Sequence, residues 1–327
     1  MKGLIRQAGM VFGIALGGAS LAPPSAWAQA WPVKPVRVIA PYAAGGPIDG
    51  LARRISPRLT PIWGQQIVIE NRAGANSIIG SEATAKATPD GYTLMINTTA
   101  FTVNASLYPK LPYDTARDFS AMVPIAIGPG VLVIHPSIPA KSIQEFISLA
   151  KSRSEKLSYA SSGSGTTGHL SIELLKTRLG IELVHVPYKG AAPAITDLLG
   201  GQVQVASSNI SAVLGHIKSG RLRPLAVTSK QRWHSLPELP TIAETVVPGY
   251  EASNWYGVFG PAGVPAAIVN KVNADVARVT QSQDLRDQLD ALGVDVLRMT
   301  PEEFTAYFRS EITRWAEAVR ISGARPD

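Results

Sequence analysis

The sequence predicts a mixed α/β protein of two lobes joined by two crossover strands. Three observations carry this. From Val36 onward, short β-type runs alternate with runs of helical spacing, the pattern of helices layered on a mostly parallel sheet. Two apolar stretches, Met122–His135 and Trp255–Gly260, interrupt that alternation where a chain can pass between domains. The two crossovers place the N- and C-terminal parts in one lobe, residues 29–128 with 250–327, and the middle in another, 129–249.

The chain opens with a short positive segment, Met1-Lys2-Gly3-Leu4-Ile5-Arg6. An apolar run of small residues follows from Val11 to Ala22, then Ala26-Trp27-Ala28. A basic start, an apolar middle and an A-x-A site read as a secretory signal peptide over residues 1–28, too short to be a membrane anchor. No twin arginine precedes the apolar run, so export by the Sec route is expected. The formal charge is +7, and Lys2 and Arg6 of the leader carry two of those charges. The remaining excess is spread along the chain, which favours small anionic ligands and gives no sign of a nucleic-acid partner. Cysteine is absent, which excludes disulfides, thiolate metal sites and a lipid anchor on cysteine.

In the first lobe, strands are expected at Val36–Ala40, Gln66–Glu70 and Thr93–Asn97, with helices at Asp49–Trp63 and Ser77–Lys86. Gly128-Pro129-Gly130 is expected to break the first crossover. In the second lobe, Ser142–Arg153 has a helical apolar face of Ile143, Phe146, Ile147 and Ala150. Strand Leu157–Ala160, helix Thr167–Leu179 and strand Glu182–Val186 follow. Helix Pro193–Leu199, strand Val203–Ser207, helix Ser211–Ser219 and strand Leu222–Thr228 complete it. Ser235 to Gly249, rich in proline, reads as a connecting loop. The tail holds helices Pro265–Gln281 and Leu285–Leu292 and a strand Val294–Arg298. Its last helix has one stripe of Phe304, Phe308, Ile312, Trp315 and Val319.

Two turns carry chemistry. The first is Tyr42-Ala43-Ala44-Gly45-Gly46-Pro47, between the first strand and the first helix. Gly45 and Gly46 permit backbone angles closed to other residues, and Pro47 suits the first helical position. Asp49 falls where a carboxylate caps the first turn. A helix N-terminus with bare N–H groups binds an anion without a cationic side chain. The second turn is Ser161-Ser162-Gly163-Ser164-Gly165-Thr166-Thr167-Gly168, again between strand and helix. Its hydroxyls, on Ser161, Ser162, Ser164 and Thr166, are suited to donate to a carboxylate; capping by Thr166 or Thr167 is the plainer alternative.

Other readings of these residues are weaker. Gly163-x-Gly165-x-x-Gly168 fits the dinucleotide fingerprint, with Glu182 near the place of the ribose-binding acid, but the motif does not open a domain. Ser164 lacks the flanking glycines of a G-x-S-x-G hydrolase turn. The five histidines have no metal spacing, so neither metal nor cofactor is expected. His169 sits just inside the second helix and is a candidate cleft residue. Asp49 has no neighbouring nucleophile or acid partner, so capping outweighs a general-base role; were the ligand to carry an ammonium, Asp49 would sit near it. Asn97-Thr98-Thr99 and Ser207-Ser208-Asn209 end strands, where ligands of open α/β sheets sit. Trp255 and Tyr256 are read either as ligand platforms or as hinge core.

The segment Pro41-Tyr42-Ala43-Ala44-Gly45-Gly46-Pro47-Ile48-Asp49-Gly50-Leu51-Ala52-Arg53 resembles the first signature of the Bug family, the extracytoplasmic receptors of tripartite tricarboxylate transporters. Similar stretches follow in the same order. They are Glu70-Asn71-Arg72-Ala73-Gly74-Ala75-Asn76, Pro89-Asp90-Gly91-Tyr92-Thr93-Leu94, the Tyr159–Thr166 turn and Val186-Pro187-Tyr188-Lys189-Gly190. Leu236-Pro237-Glu238-Leu239-Pro240-Thr241 and Trp255–Pro265 complete the set. The chain departs from the family in having Tyr42 where phenylalanine is usual, Ala73-Gly74 for Pro-Gly, and no glycine pair near Asn76-Ser77. The first departure bears on ligand preference.

The resemblance implies a two-lobed periplasmic binding protein of the type II-like, Venus flytrap form. It also implies delivery of a ligand to membrane permease subunits. The expected ligand set is Tyr42, Ala43, Ala44, Gly45, Gly46, Asp49 and Thr99 from the first lobe. Ser161, Ser162, Gly165, Thr166, Thr167, His169 and Asn209 come from the second. The expected function is capture of a small carboxylate by a monomer, without turnover. A periplasmic enzyme or a signalling receptor for a small organic acid is the alternative.

Overall fold

The computed structural model describes residues 31–152 and 156–326; the expected leader lies outside them. The first βα units are built from local pattern. Strand β1 (Val36–Ala40) leads into α1 (Pro47–Trp63), β2 (Ile67–Asn71), α2 (Ile78–Ala85) and β3 (Thr93–Thr98), close to the expected bounds. Helix α3 (Ala100–Leu107) was not expected. Six of its eight residues are buried, so it has no polar face to mark a helical period.

The strand β4 (Phe119–Ile134) then runs unbroken through Gly128-Pro129-Gly130, correcting the expected break. It changes partners there instead. Up to Pro129 it pairs with β9 (Ser253–Pro261), and from Gly130 it pairs elsewhere. A Cβ on Gly128 would lie 2.7 Å from Val294 Cγ1, and one on Gly130 3.0 Å from Thr228 Oγ1. These glycines are used for close approach, not for a turn.

Beyond β4 come α4 (Ile143–Ser152), β5 (Leu157–Ser161), α5 (Thr167–Leu179), β6 (Leu183–Pro187) and α6 (Ala191–Leu199). Next are β7 (Val205–Asn209), α7 (Ile210–Lys218) and β8 (Arg223–Val227). The proline-rich connection contains one short helix, α8 (Ile242–Thr245), closed by a Thr241–Glu244 capping box. After β9 the chain ends in α9 (Ala266–Thr280), α10 (Gln283–Ala291), the two-residue β10 (Asp295–Val296) and α11 (Pro301–Ser322).

The strand order is β2-β1-β3-β9-β4-β7-β5-β6, with β8 and β10 also on β4. β1, β2 and β3 are parallel, as are β5, β6 and β7, while β9 is antiparallel to β3 and β4. Thus β4 is shared by two halves of the sheet. The second expected crossover, Trp255–Gly260, lies wholly within the first half. The chain returns just before it, where the Ala252 N–H donates to Thr228 O at 2.9 Å and Ser253 pairs with Pro129.

The C-terminal helix ties both halves together. Phe304 and Phe308 of α11 join an aromatic cluster with Phe101, Phe119, Phe259 and Trp255. Phe101 stacks on Phe308 at 5.4 Å. One turn and more further on, Trp315 and Ala318 pack with Leu132, Tyr159 and Leu170. Between them Glu311, 4% exposed, accepts hydrogen bonds from the indoles of Trp255 (2.9 Å) and Trp315 (3.2 Å) and from the Arg314 guanidinium (2.7 and 2.8 Å). Sequence placed the tail with the first lobe alone; α11 packs on α3, β4 and α5.

Candidate functional site

The turn after β1 forms as its composition dictates. Gly45 has φ +81°, Gly46 is the N-cap and Pro47 opens α1. Asp49 does not act as a capping box on Gly46. Its Oδ2 accepts the Gly45 N–H and the Arg53 Nε–H, both at 2.9 Å, and the side chain is buried. The Arg53 hydrogen bond holds the Asp49 carboxyl below its ordinary range against the opposing effect of burial, helped by the Gly45 amide. Asp49 Oδ2 is thus spent on Gly45 and Arg53 while Oδ1 makes no hydrogen bond, and the contact removes the Gly45 N–H from the donors expected for a ligand. The N–H groups of Ala43 and Ala44 find no acceptor among the described residues, and both residues are exposed.

A test follows from this loop. Asp49→Ala removes the acceptor of an exposed arginine and an exposed backbone N–H, both of which water can reach, and should cost about 0.5–1.5 kcal/mol. The folded-state pKa of Asp49 is depressed. Its stabilisation is therefore present above the unfolded value of about 3.9 and is lost as pH falls through the folded value. Urea unfolding across an acid pH series should show wild type losing more stability than Asp49→Ala below about pH 4. Parallel acid limbs would refute the assignment.

The turn after β5 has the expected shape, but its hydroxyls are largely engaged. Thr166 Oγ1 donates to Gly163 O at 2.8 Å, so it closes the loop and makes no cap. Ser161 Oγ lies 3.2 Å from Gly163 O and 2.7 Å from His185 Nε2. Thr167 Oγ1 donates to Asn254 Oδ1 at 2.7 Å. The Gly165 N–H donates to His169 Nδ1 at 3.1 Å. His169 therefore braces the loop. Its ring stacks on His185 at 4.1 Å, and His185 stacks on Tyr159 at 4.8 Å. Ser162 is exposed. Ser164 is buried, and its Oγ has no partner. That hydroxyl and the exposed Ser162 hydroxyl are the two that the loop does not itself engage.

The dinucleotide reading meets a steric obstacle. Gly165 has φ +78°, and a Cβ there would lie 2.1 Å from Leu107 Cδ2 and 3.1 Å from Asn76 Nδ2. The face a pyrophosphate would approach is filled by α3 and by the 75–77 turn. Gly168 is pressed on β7, with Ser207 O 2.2 Å from its hypothetical Cβ. Glu182 makes a surface ion pair with Lys156 at 3.4 Å.

Contacts among these residues trace a ring across both halves of the sheet. Asn76 and Asn104 exchange hydrogen bonds: Asn76 Nδ2 to Asn104 Oδ1 at 3.0 Å, and Asn104 Nδ2 to Asn76 O at 2.7 Å. Asn104 also reaches Ser77 Oγ at 3.5 Å. Ser77 lies alongside the Tyr42 hydroxyl without a hydrogen bond of normal geometry, and the phenols of Tyr113, Tyr256 and Tyr108 also act on it. Tyr256 accepts from Asn209 Nδ2 at 3.4 Å; Asn209 in turn accepts from Asn254, the partner of Thr167. Thr167 adjoins the Gly165 turn, which returns to Asn76. Ala75, Asn76 and Ser77 all have positive φ, 45°, 47° and 76°. Three consecutive non-glycine residues in this region are costly; Asn104 bonds Asn76 and Ser77, and Ala75 O accepts the Ile78 N–H.

Of the residues expected from sequence, Tyr42, Gly165, Thr167 and Asn209 stand on this ring. Thr99 does not: it is fully buried, its Oγ1 accepting the Trp255 N–H at 3.0 Å and lying 3.5 Å from Ser253 O. It ties α3 to β9. Trp255 is core, fully buried with its indole on Glu311. Asn76, Ser77, Asn104 and Asn254 were missed. The absent glycine pair at 76–77 was a signal for the first two, because those positions have the backbone angles glycine favours. Among the described residues no cluster of three or more His, Asp or Glu could hold a metal ion.

The family model for the tripartite tricarboxylate transporter family receptor matches residues 51–323. Protein BugT of Bordetella pertussis is 36% identical over 317 residues, covering 96% of this chain and 97% of its own. A UPF0065 protein from the tcbD-tcbE intergenic region of Pseudomonas sp. strain P51 is 39% identical over 292 residues, 89% of this chain and 87% of its own. Among solved structures, R. palustris Rpa4515 with adipate superposes with a TM-score of 0.85 at 39% identity, covering 91% of this chain and all 100% of that one. MatC (Rpa3494) from Rhodopseudomonas palustris, with bound malate, gives 0.82 at 32% identity, covering 88% and 100%. The periplasmic binding protein BugD gives 0.83 at 32% identity, covering 91% and 100%. The family and these neighbours are solute-binding receptors, not enzymes. A family match over most of the chain, and the same fold throughout the neighbours, agree with the ring of turns at the helix N-termini: this chain belongs to the Bug/TctC family of periplasmic solute-binding receptors.

Proposed function

We propose that this chain captures a small carboxylate at the ring and delivers it to the membrane permease of a tripartite transporter. The observation that carries the reading is the placement of unspent donors at two helix N-termini. These are the Ala43 and Ala44 N–H groups before α1 and the buried Ser164 hydroxyl before α5. Backbone N–H and hydroxyl groups at helix N-termini hold a carboxylate through directed hydrogen bonds. Adipate and malate in the neighbours make small organic acids the first candidates.

In this reading, residues 29–128 with 250–327 move against 129–249, bending where β4 changes partners and where the chain returns at Ala252–Ser253. A ligand that touches both parts selects the closed form. The chain is exported, cleaved after Ala28 and acts as a monomer. A thermal-shift panel of mono-, di- and tricarboxylates tests the reading. At roughly a hundred times its dissociation constant, the cognate acid adds about 2.7 kcal/mol of stability. A panel without any shift, or a shift with NAD or NADP, would overturn it.

A further inference from the structure

Buried hydroxyls without partners are few in folded proteins, and each calls for an explanation. Three here adjoin the same ring: Tyr42, Tyr113 and Ser164. Ser164 is accounted for by the carboxylate reading. Tyr42 is different in kind. Its backbone is pinned by Asn71, whose Nδ2 donates to Tyr42 O at 3.1 Å, and its ring packs on the core. The hydroxyl lies beside Ser77 and the phenols of Tyr113, Tyr256 and Tyr108. Burial pushes the Tyr42 phenol up in pKa, and pushes Tyr113 and Tyr256 up to about 12, so all three stay protonated and neutral at neutral pH. Neither lysine nor arginine is among the buried charged residues. The groups that act on the Tyr42 hydroxyl, Ser77, Tyr113, Tyr256 and Tyr108, are themselves neutral hydroxyls. A phenol both donates and accepts, and so does an alcohol or phenol on a ligand.

Resting on the carboxylate reading above, we propose that Tyr42 makes this receptor selective for hydroxy acids: the carboxylate lies on the two turns and a hydroxyl group on the same ligand bonds the Tyr42 hydroxyl. A site with a buried hydrogen-bonding group discriminates against the analogue that lacks the partner, because the group is then left unpaired.

The test is calorimetric titration of acid pairs that differ by one hydroxyl: malate with succinate, lactate with propionate, and 4-hydroxybenzoate with benzoate. Wild type should bind the hydroxylated member of at least one pair about tenfold or more tightly. Tyr42→Phe should narrow that preference to about twofold while changing affinity for the plain member by no more than about twofold. The melting temperature of Tyr42→Phe without added acid should equal or exceed that of wild type, since it removes an unpaired buried group; a hydroxyl with a structural bond would lower it. A preference untouched by Tyr42→Phe, or acids bound by wild type without any preference, would overturn this inference and leave the carboxylate reading standing. Binding of none of the six acids would overturn this inference alone; the carboxylate reading falls only if the wider panel of mono-, di- and tricarboxylates also gives no shift.

Discussion

Gly165→Val should give a folded protein whose affinity for its acid is about 5- to 150-fold weaker than wild type. Two costs arise at this residue. At φ +78° a branched side chain is strained by about 1–2 kcal/mol or more wherever the loop keeps its shape, which lowers stability. The second cost arises only when the loop meets α3. Its Cβ would stand 2.1 Å from Leu107 Cδ2, and Leu107 is itself 4% exposed and packed between helix and sheet. Overpacking of this kind costs about 1–3 kcal/mol, and 1.4 kcal/mol is a factor of ten in affinity. Gly165 lies on the turn before α5 and Leu107 on α3, so the strain falls on the contact between these two elements and opposes a bound form that keeps them pressed together. Leu107→Ala in the Gly165→Val background removes the clashing atom and should recover most of the binding, though not the stability. Calorimetric affinities of the single and double variants decide this. Wild-type affinity in a folded Gly165→Val protein would mean that the two elements are not pressed together in the bound state.

The largest loss of stability is expected from Glu311→Ala, about 3–5 kcal/mol by urea unfolding. The carboxylate is the common acceptor for the Trp255 and Trp315 indoles and the Arg314 guanidinium. Its removal leaves two buried N–H donors and a half-buried cation without their acceptor. It also disconnects α11 from β9 midway between the aromatic cluster of Phe304 and Phe308 and the packing of Trp315. The mechanism is desolvation without compensation, so Glu311→Gln should recover only part of the loss: an amide keeps one acceptor oxygen but turns an NH2 toward the other donors. Glu317→Ala on the same helix removes an exposed carboxylate 3.9 Å from Arg320 and should cost less than about 0.5 kcal/mol. A Glu311→Ala midpoint within error of that control would show the network to be dispensable.

The order of elements, and the two strand–turn–helix units that frame the site, were legible in the sequence because their causes are local. Glycine freedom at Gly45 and Gly165, proline at the first position of α1, and apolar spacing along α1 and α5 act within a few residues of each other. The same locality explains the errors. α3 was missed because burial on all sides erases its period, and β4 was split because Gly-Pro-Gly is a turn signal until a partner strand is chosen. Which donors remain for a ligand was beyond any local pattern. The Gly45 and Gly165 amides are used four residues away, by Asp49 and His169, and Thr167 by Asn254, 87 residues on. Asn76 and Ser77 hold their costly backbone angles only because Asn104 reaches them from α3. Sequence by itself determined most of the elements and the two strand–turn–helix units proposed to face a ligand. Tertiary structure decided which of their polar atoms are free, because hydrogen bonds are shared among all the groups that folding brings within 3.5 Å of one another, whatever their separation along the chain.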